Sequence, residues 1–387
     1  MTPAASQAPA TISDPINAAI LAISEDRLAG FQTDPFGEIA TRSGVGVQTV
    51  IERIVAMLQA GTIRRVRQTL LSTSLARGAL CAWEVPADKL EAGFDFMYRE
   101  DPFSGHVVIR STDSVSAGSS YRLWTTLKVP QGFSLRKHAQ WLSRQVGAQR
   151  FAIMPAKKLF ALGVGHVRRR GLEPGARSDE PAAVLDTSIV ELSERQWNVL
   201  VALKREFSPD ELVRDLWAAR AREAGLDLPA FVDVARELQE LGVIGRFSTF
   251  LEHVKATAGN EHVTRYNALF HWAVPPGSEL RAGREVGRHY VITHAYWREG
   301  GPEFHEVNVM AVAHGMEKPV VLAHKAAIDE HLREAGVEFT YTNVFWGGRS
   351  EIKPSEIAPS AYRDFCLQRG IDPEAMLAQS DEELGSA

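Results

Sequence analysis

The sequence is short of the features that assign a function at once. It carries only two cysteines, Cys81 and Cys366, in 387 residues. Two cannot build a disulfide framework, a CxxC redox pair or a cysteine-rich zinc site. No apolar run approaches the roughly 18–20 residues of a membrane-spanning helix. The opening MTPAASQAPA has neither the basic start nor the apolar core of a signal peptide, so a reducing, cytoplasmic setting is expected. Excess positive charge is missing as well. The net charge is -5 and the pI about 6.2, which argues against a polyanion as the main partner. HExxH spacing is absent too, and no zinc is expected. Hydrophobic and charged residues, at 45% and 24%, are in ordinary proportion for a folded domain. At about 100–200 residues per domain the length allows two to four. Histidine is unevenly placed, with nine of the 12 between His253 and His331.

Self-similarity explains the length. Gly61-Thr62-Ile63-Arg64-Arg65-Val66 recurs as Gly242-Val243-Ile244-Gly245-Arg246-Phe247, offset by 181. Ala79-Leu80-Cys81-Ala82-Trp83-Glu84-Val85-Pro86 recurs as Ala268-Leu269-Phe270-His271-Trp272-Ala273-Val274-Pro275, offset by 189. Tyr121-Arg122-Leu123-Trp124 aligns with Val307-Asn308-Val309-Met310, offset by 186. Three matches in one order at a nearly constant offset point to duplication and fusion.

Each copy opens with helical periodicity. Ile16, Ala19, Ile20 and Ile23 share a face; Asp34-Pro35 starts a short helix; Val50, Ile51, Ile54, Val55 and Leu58 line a third, which stops at Gly61. An extended basic run follows from Ile63 to Leu70. Helix, helix, turn, helix and a strand pair make a winged helix-turn-helix, repeated from Ser193 to Phe250. The period then turns strand-like at Leu80–Val85, Val107–Arg110 and Tyr121–Val129, and again at Leu269–Val274, Tyr290–Trp297 and Val307–Ala313. Helical stretches lie at Leu135–Gln145 and Val320–Ala335. The expected fold is therefore α+β, in two tandem units, each a winged helix followed by a ferredoxin-like βαββαβ domain. The expected divisions are a disordered N-terminus 1–12, a winged helix over 13–72 and a ferredoxin-like domain over 76–170. A linker 171–186, a second winged helix 187–255, a second ferredoxin-like domain 265–353 and an acidic helical tail 354–387 follow.

This layout is that of Lrp/AsnC-type proteins, and the residues narrow it. Asp34-Pro35-Phe36-Gly37-Glu38-Ile39-Ala40 and Gly61-Thr62-Ile63-Arg64-Arg65 resemble winged-helix motifs of the sirohaem decarboxylases, which work as two related subunits, sometimes fused. Tyr121-Arg122-Leu123-Trp124-Thr125-Thr126-Leu127 resembles that family's Tyr-Asn-Leu-Trp-Phe-Thr-Leu strand. Val291 to Arg298 and Ala311-Val312-Ala313-His314-Gly315 resemble the partner subunit. The family's Trp-Pro-Tyr-Asn is here replaced within Glu303 to Asn308, keeping only Asn308. The first copy shows no clear His-x-Tyr between Val107 and Thr112.

The resemblance implies removal of acetate carboxyls from an iron tetrapyrrole, sirohaem or haem-like, with no cofactor beyond that substrate. Such chemistry needs arginines to hold the carboxylates that stay and a proton donor at the carbon losing carbon dioxide. Arg64, Arg65 and Arg67, with Arg246 as counterpart, are candidate carboxylate contacts, or else a solvated basic wing. His294, Tyr296 and Arg298 alternate along one strand, so they share a face. They would supply an acid or axial iron ligand, a hydroxyl and a carboxylate contact, or form a polar outer surface. The resemblance adds His253 as a second catalytic histidine, and Tyr121, Arg122, Asn308 and His314 as substrate contacts. His262, His289, His324 and His331 have no pattern support and read as surface residues.

The main rival is an Lrp/AsnC-type transcription regulator; a non-catalytic haem or sirohaem sensor is the other. The first recognition helix, about Gln48–Gln59, offers only Glu52 and Arg53 as charges. The second, about Pro229–Leu241, carries Asp233, Glu237 and Glu240 against Arg236. Phosphate contact needs positive charge, so DNA is not the expected partner. The duplicated chain is expected to be a pseudo-dimer in itself, with room for a further homodimer.

Overall fold

The computed structural model describes residues 8–71, 74–163, 169, 171–185, 189–252, 256–257 and 260–379. The first copy runs α1 (Pro15–Ser24), β1 (Leu28–Ala29), α2 (Pro35–Ser43), α3 (Val47–Gln59), β2 (Ile63–Leu70), β3 (Ala76–Glu84), α4 (Leu90–Arg99), β4 (Ser104–Thr112), β5 (Leu123–Pro130), α5 (Leu135–Val146), β6 (Arg150–Pro155) and β7 (Lys158–Leu162). The second runs α6 (Glu194–Lys204), α7 (Leu216–Glu223), α8 (Leu228–Glu240), β8 (Ile244–Leu251), β9 (Tyr266–Ala273), α9 (Glu279–Gly287), β10 (Ile292–Trp297), β11 (Val309–Gly315), α10 (Lys318–Glu334) and β12 (Tyr341–Ile352), with α11 (Pro359–Gln368) after it.

The helix ends follow from local chemistry. Asp34 accepts from the Gly37 N–H at 2.9 Å, with Pro35 in the first turn, and α2 ends on Gly44 at φ +72°. Only glycine adopts that left-handed conformation without strain.

The chain divides into two compact units that cut across the copies. One gathers the described residues of 1–71, 163–171 and 190–265; the other those of 72–162, 172–189 and 266–387. In the first unit the expected hairpin within each winged helix is absent among the described residues. Instead β2 pairs antiparallel with β8 of the other copy, with Val66 opposite Thr249 and Arg67 opposite Ser248, in the order β1-β8-β2. A lone wing strand leaves a row of backbone donors and acceptors unmet, and the duplicate supplies them. Nor is the whole of residues 1–12 loose. Ile12 is buried, Asn17 Nδ2 donates to the Pro9 and Thr11 carbonyls, and Thr62 Oγ1 donates to the Ala10 carbonyl.

The second unit is a nine-stranded sheet in the order β6-β3-β5-β4-β12-β9-β11-β10-β7. Within each copy the four strands take the order fourth, first, third, second. The register fixes the alignment of the copies. Trp83 faces Leu123 across β3 and β5, and Trp272 faces Val309 across β9 and β11, as the offsets of 189 and 186 require. β12 pairs with β9 through Tyr341–Gly347 and with β4 through Phe345–Ile352. The first copy splits the same path into β6, on β3, and β7, on β10. Because β6 and β7 end the strand order yet are separated only by Ala156 and Lys157, the sheet curls until its ends meet.

Two faces follow from strand alternation. The outer face packs α4, through Phe94, and α5 over Trp83 and Leu123, and α9 and α10 over Phe270, Trp272 and Ala295. The inner face gathers Trp124, Val108, Met154, Phe304, Met310 and Phe345 from both copies. Segment 172–185 is no detached linker: Leu185 bridges to Leu159 and Arg177 to His289. Nor is the tail apart. Tyr362, Phe365, Cys366 and Met376 join the first copy's outer core, where His138 Nδ1 lies 3.0 Å from the Tyr362 hydroxyl and its Nε2 3.2 Å from Asp101.

Candidate functional site

The expected column on β10 forms. The His294 and Tyr296 rings stack at 6.2 Å between centroids and 12° between planes. The Arg298 guanidinium lies 4.3 Å from the Tyr296 centroid. Alternation drives this: Ala295 and Trp297 pack on the outer, helix-covered face, so His294, Tyr296 and Arg298 turn inward. His294 and Tyr296 are partly exposed and Arg298 is buried. Burial raises the tyrosine pKa, while the neighbouring Arg298 opposes it. Arg298 donates to the Met154 carbonyl at 2.6 Å, and its buried Nε has no hydrogen-bond partner.

Behind the column runs a chain of polar groups whose donors can be ordered. Arg110 Nη1 lies 3.2 Å from Asn267 Oδ1. Arginine only donates, so the amide turns its Nδ2 to His314 Nε2, at 3.1 Å. His314 therefore accepts on Nε2, placing its neutral-ring proton on Nδ1, 3.5 Å from Thr293 Oγ1. Thr293 spends its one proton on the Val312 carbonyl at 3.1 Å. It thus accepts from His294 Nδ1 at 3.1 Å. In the neutral ring this puts the proton on His294 Nδ1 and the lone pair on Nε2.

The other predicted residues separate. Arg64, Arg65, Arg67 and Arg246 lie in the first unit. Arg65 is buried and pairs with Glu206 at 3.2 Å. Arg67, partly exposed, has its guanidinium 5.4 Å from the Phe250 centroid. Its pKa is lowered to about 10, by burial first and then by Arg65, against the opposing pull of Glu206. Arg246 and Arg64 press the same way, so the four arginines form one positive cluster suited to anions. Arg246 also donates from Nε to the Glu25 carbonyl at 3.3 Å.

Three residues that the resemblance implies as substrate contacts also make contacts within the fold. Asn308 is buried; its amide accepts from the Val274 N–H and donates to the Val274 carbonyl, both at 2.9 Å. That two-way bond clips the end of β9. Tyr121 is buried beside Phe304, with ring centroids 5.2 Å apart. Arg122 is exposed and ties β4 by donating from Nε to the Arg110 carbonyl at 3.2 Å. His253 lies outside the described residues.

Among the remaining histidines, His289, His324 and His331 are buried rather than at the surface. His331 Nε2 lies 2.7 Å from Glu285. His271 faces inward, fully buried, and neither ring nitrogen has a hydrogen-bond partner. Burial, with Arg110 and Lys325 nearby, lowers its pKa to about 3. Arg110, Asn267 and Thr293 were not legible as site residues. Two come from β4 and β9, and the strand order β4-β12-β9-β11-β10 lines them up with β10, Gly347 of β12 lying opposite both Arg110 and Asn267 with no side chain between them.

Residues 75–161 match the AsnC-like ligand binding domain family. The siroheme decarboxylase NirDL subunit of Paracoccus denitrificans is 24% identical over 314 residues, covering 78% of this chain and 89% of that protein. The siroheme decarboxylase beta subunit of Oleidesulfovibrio alaskensis is 28% identical over 122 residues, covering 32% of this chain and 72% of that protein. A crystal structure of the siroheme decarboxylase NirDL in co-complex with an iron-uroporphyrin III analogue superposes with a TM-score of 0.62. Its identity is 17%, and it covers 92% of this chain and 99% of that one. The chain thus resembles sirohaem decarboxylases in sequence along most of its length, and the mixed α+β fold is theirs.

Proposed function

We propose that this chain is a sirohaem decarboxylase-like enzyme, a carbon–carbon lyase that removes acetate side-chain carboxyls from an iron tetrapyrrole in haem or d1-type haem biosynthesis. The helical sets α1–α3 and α6–α8 are read as Lrp/AsnC-type winged helices, and each βαββαβ set as a ferredoxin-like domain. The observation that carries the reading is the inward-facing column of His294, Tyr296 and Arg298, backed by a chain of hydrogen bonds that occupies His294 Nδ1. Similarity to fused and two-subunit siroheme decarboxylases supports it.

The chemistry is electron-neutral and asks for no cofactor beyond the ring and no zinc. The bond to the carboxyl carbon breaks, carbon dioxide leaves, and the electron pair left on the side-chain carbon takes a proton, giving a methyl group. His294 Nε2 delivers that proton, or ligates the ring iron; the Tyr296 hydroxyl orients the reacting group. Arg298 provides positive charge for a carboxylate from a buried position, where water competes least. The inner-face aromatics supply the apolar wall.

The regulator reading fares worse. Arg53, the one cation of the first recognition helix, pairs with Asp14 at 3.1 Å, and Arg236 of the second has Asp233 at 3.6 Å. Neither helix offers uncompensated positive charge for phosphates.

The test is anaerobic incubation with sirohaem, followed by visible spectroscopy and mass spectrometry. The expected product is lighter by one or more carbon dioxide units. Tight binding with unchanged mass would favour the sensor. No spectral change, with salt-sensitive DNA binding, would overturn both tetrapyrrole readings.

A further inference from the structure

The first copy has a counterpart to the β10 column that its sequence hides. The backbone pairings locate it. The Arg110 N–H donates to the Arg122 carbonyl at 2.7 Å, and the Arg298 N–H to the Asn308 carbonyl at 3.1 Å. Arg122 and Asn308 are the residues the duplication aligns. Likewise His106 pairs with Thr126 and Val108 with Trp124, as His294 pairs with Val312 and Tyr296 with Met310. His106, Val108 and Arg110 on β4 are therefore the equivalents of His294, Tyr296 and Arg298 on β10. A search for His-x-Tyr misses them because the tyrosine is a valine and the histidine lies one place before the window.

The equivalence extends to hydrogen bonds. Arg298 Nη1 donates to the Met154 carbonyl at 2.6 Å, and Arg110 Nη1 lies 3.4 Å from the carbonyl of Phe345, the matching residue of the other copy. Both guanidinium groups are more than nine-tenths buried, at 4% exposure for Arg110 and 7% for Arg298. Each has a buried Nε without a hydrogen-bond partner. Neither has a carboxylate within ion-pair distance among the described residues. Arg110 touches only neutral acceptors, Asn267 Oδ1 and the Phe345 carbonyl. A buried guanidinium without an acid is costly unless an anion completes it. Next to it, on β9 and β12, the buried His271 nitrogens and Asn343 Nδ2 also lack partners. As in the second copy, the histidine is the partly exposed member and the arginine the buried one.

We infer that β4 carries a second anion-binding subsite, with Arg110 as the buried anchor and His106 at its mouth, that takes a side-chain carboxylate of a polycarboxylate tetrapyrrole without turning it over. The inference rests on the proposed function, because the ligand class is taken from it. Val108 leaves no hydroxyl in the column. His106 Nε2, the atom matching the reactive nitrogen of His294, lies 2.8 Å from Ser350 Oγ. The first site therefore grips the substrate class but lacks a poised proton donor, and the two halves divide binding from chemistry.

The test is a titration of the full-length protein with iron-uroporphyrin III, followed in the visible spectrum to give rings bound per chain. Two rings are expected for the wild type. His106→Ala should remove one and His294→Ala the other, while Arg110→Lys should remove the first and also weaken the second, because Arg110 heads the polar chain that reaches His294. His106 lies near the surface, so its variant should fold even if the buried arginine's variant does not. One ring per chain in the wild type, lost in His294→Ala and unaffected by His106→Ala, would overturn the second subsite while leaving the proposed function standing. No ring bound at all would instead bring down the proposed function.

Discussion

At the scale of single residues, the inner face holds polar groups in states fixed by neighbours. His271 has the clearest consequence. Its pKa falls from the usual range for histidine to about 3 because burial disfavours the charged ring, with Arg110 and Lys325 adding repulsion. In the unfolded chain it titrates near 6.5. The stabilising neutral form is thus fully favoured above that value, and stability is lost as the pH falls from 6.5 toward 3, where the unfolded state binds the proton and the folded state does not. Between neutrality and about pH 5 this single ring removes about 2 kcal/mol. His271→Phe, among Trp124, Phe304 and Phe345, should flatten that part of the acid limb. Urea unfolding of both proteins at pH 7 and pH 5 measures it; parallel losses would contradict the assignment. Little stability should be lost at neutral pH, because neither ring nitrogen has a partner to orphan.

At the scale of elements, the structure depends on strands lent between copies. β7 belongs to the first copy by sequence but completes the second copy's sheet beside β10. α9 crosses it where a side chain would not fit: a Cβ on Gly283 would lie 2.0 Å from the Phe160 ring. Gly283→Ala should therefore force that buried ring aside, at a cost of about 1–3 kcal/mol. A thermal melt checks this, and an unchanged midpoint would mean the ring has room to move. The same borrowing sets what the sequence could tell. Helix ends were legible because caps act locally: Asp34-Pro35 and Gly44 bound α2, and α3 and α8 fell within a residue or so of expectation. The strand column on β10 was legible because alternation is local too. Strand partners were not. Nothing in the period of Ile63–Leu70 says that its mate is β8, since any extended run offers the same donors and acceptors. The polar chain from Arg110 to His294 was hidden for that reason, and so were the structural duties of Asn308 and Arg122. The burial of His289, His324 and His331 escaped because it depends on how α9 and α10 pack on each other and on the sheet.

At the scale of the molecule, duplication has been used for asymmetry. Both halves of the sheet keep an inward-facing histidine and a buried arginine in register, but only the second adds Tyr296 between them and a hydrogen-bonded histidine, His314, behind. The uneven histidine content follows from this in part. His294 and His314 serve the inner face, while His289, His324 and His331 are buried parts of the second copy's packing. In the proposed reaction the second copy's column delivers the proton that replaces carbon dioxide. The most direct measurement is the mass of the tetrapyrrole after anaerobic reaction with sirohaem in deuterium oxide, for wild type and His294→Ala side by side. The wild type is expected to exchange each lost carboxyl for one deuterium, and His294→Ala to yield no product. Full conversion by His294→Ala would contradict it.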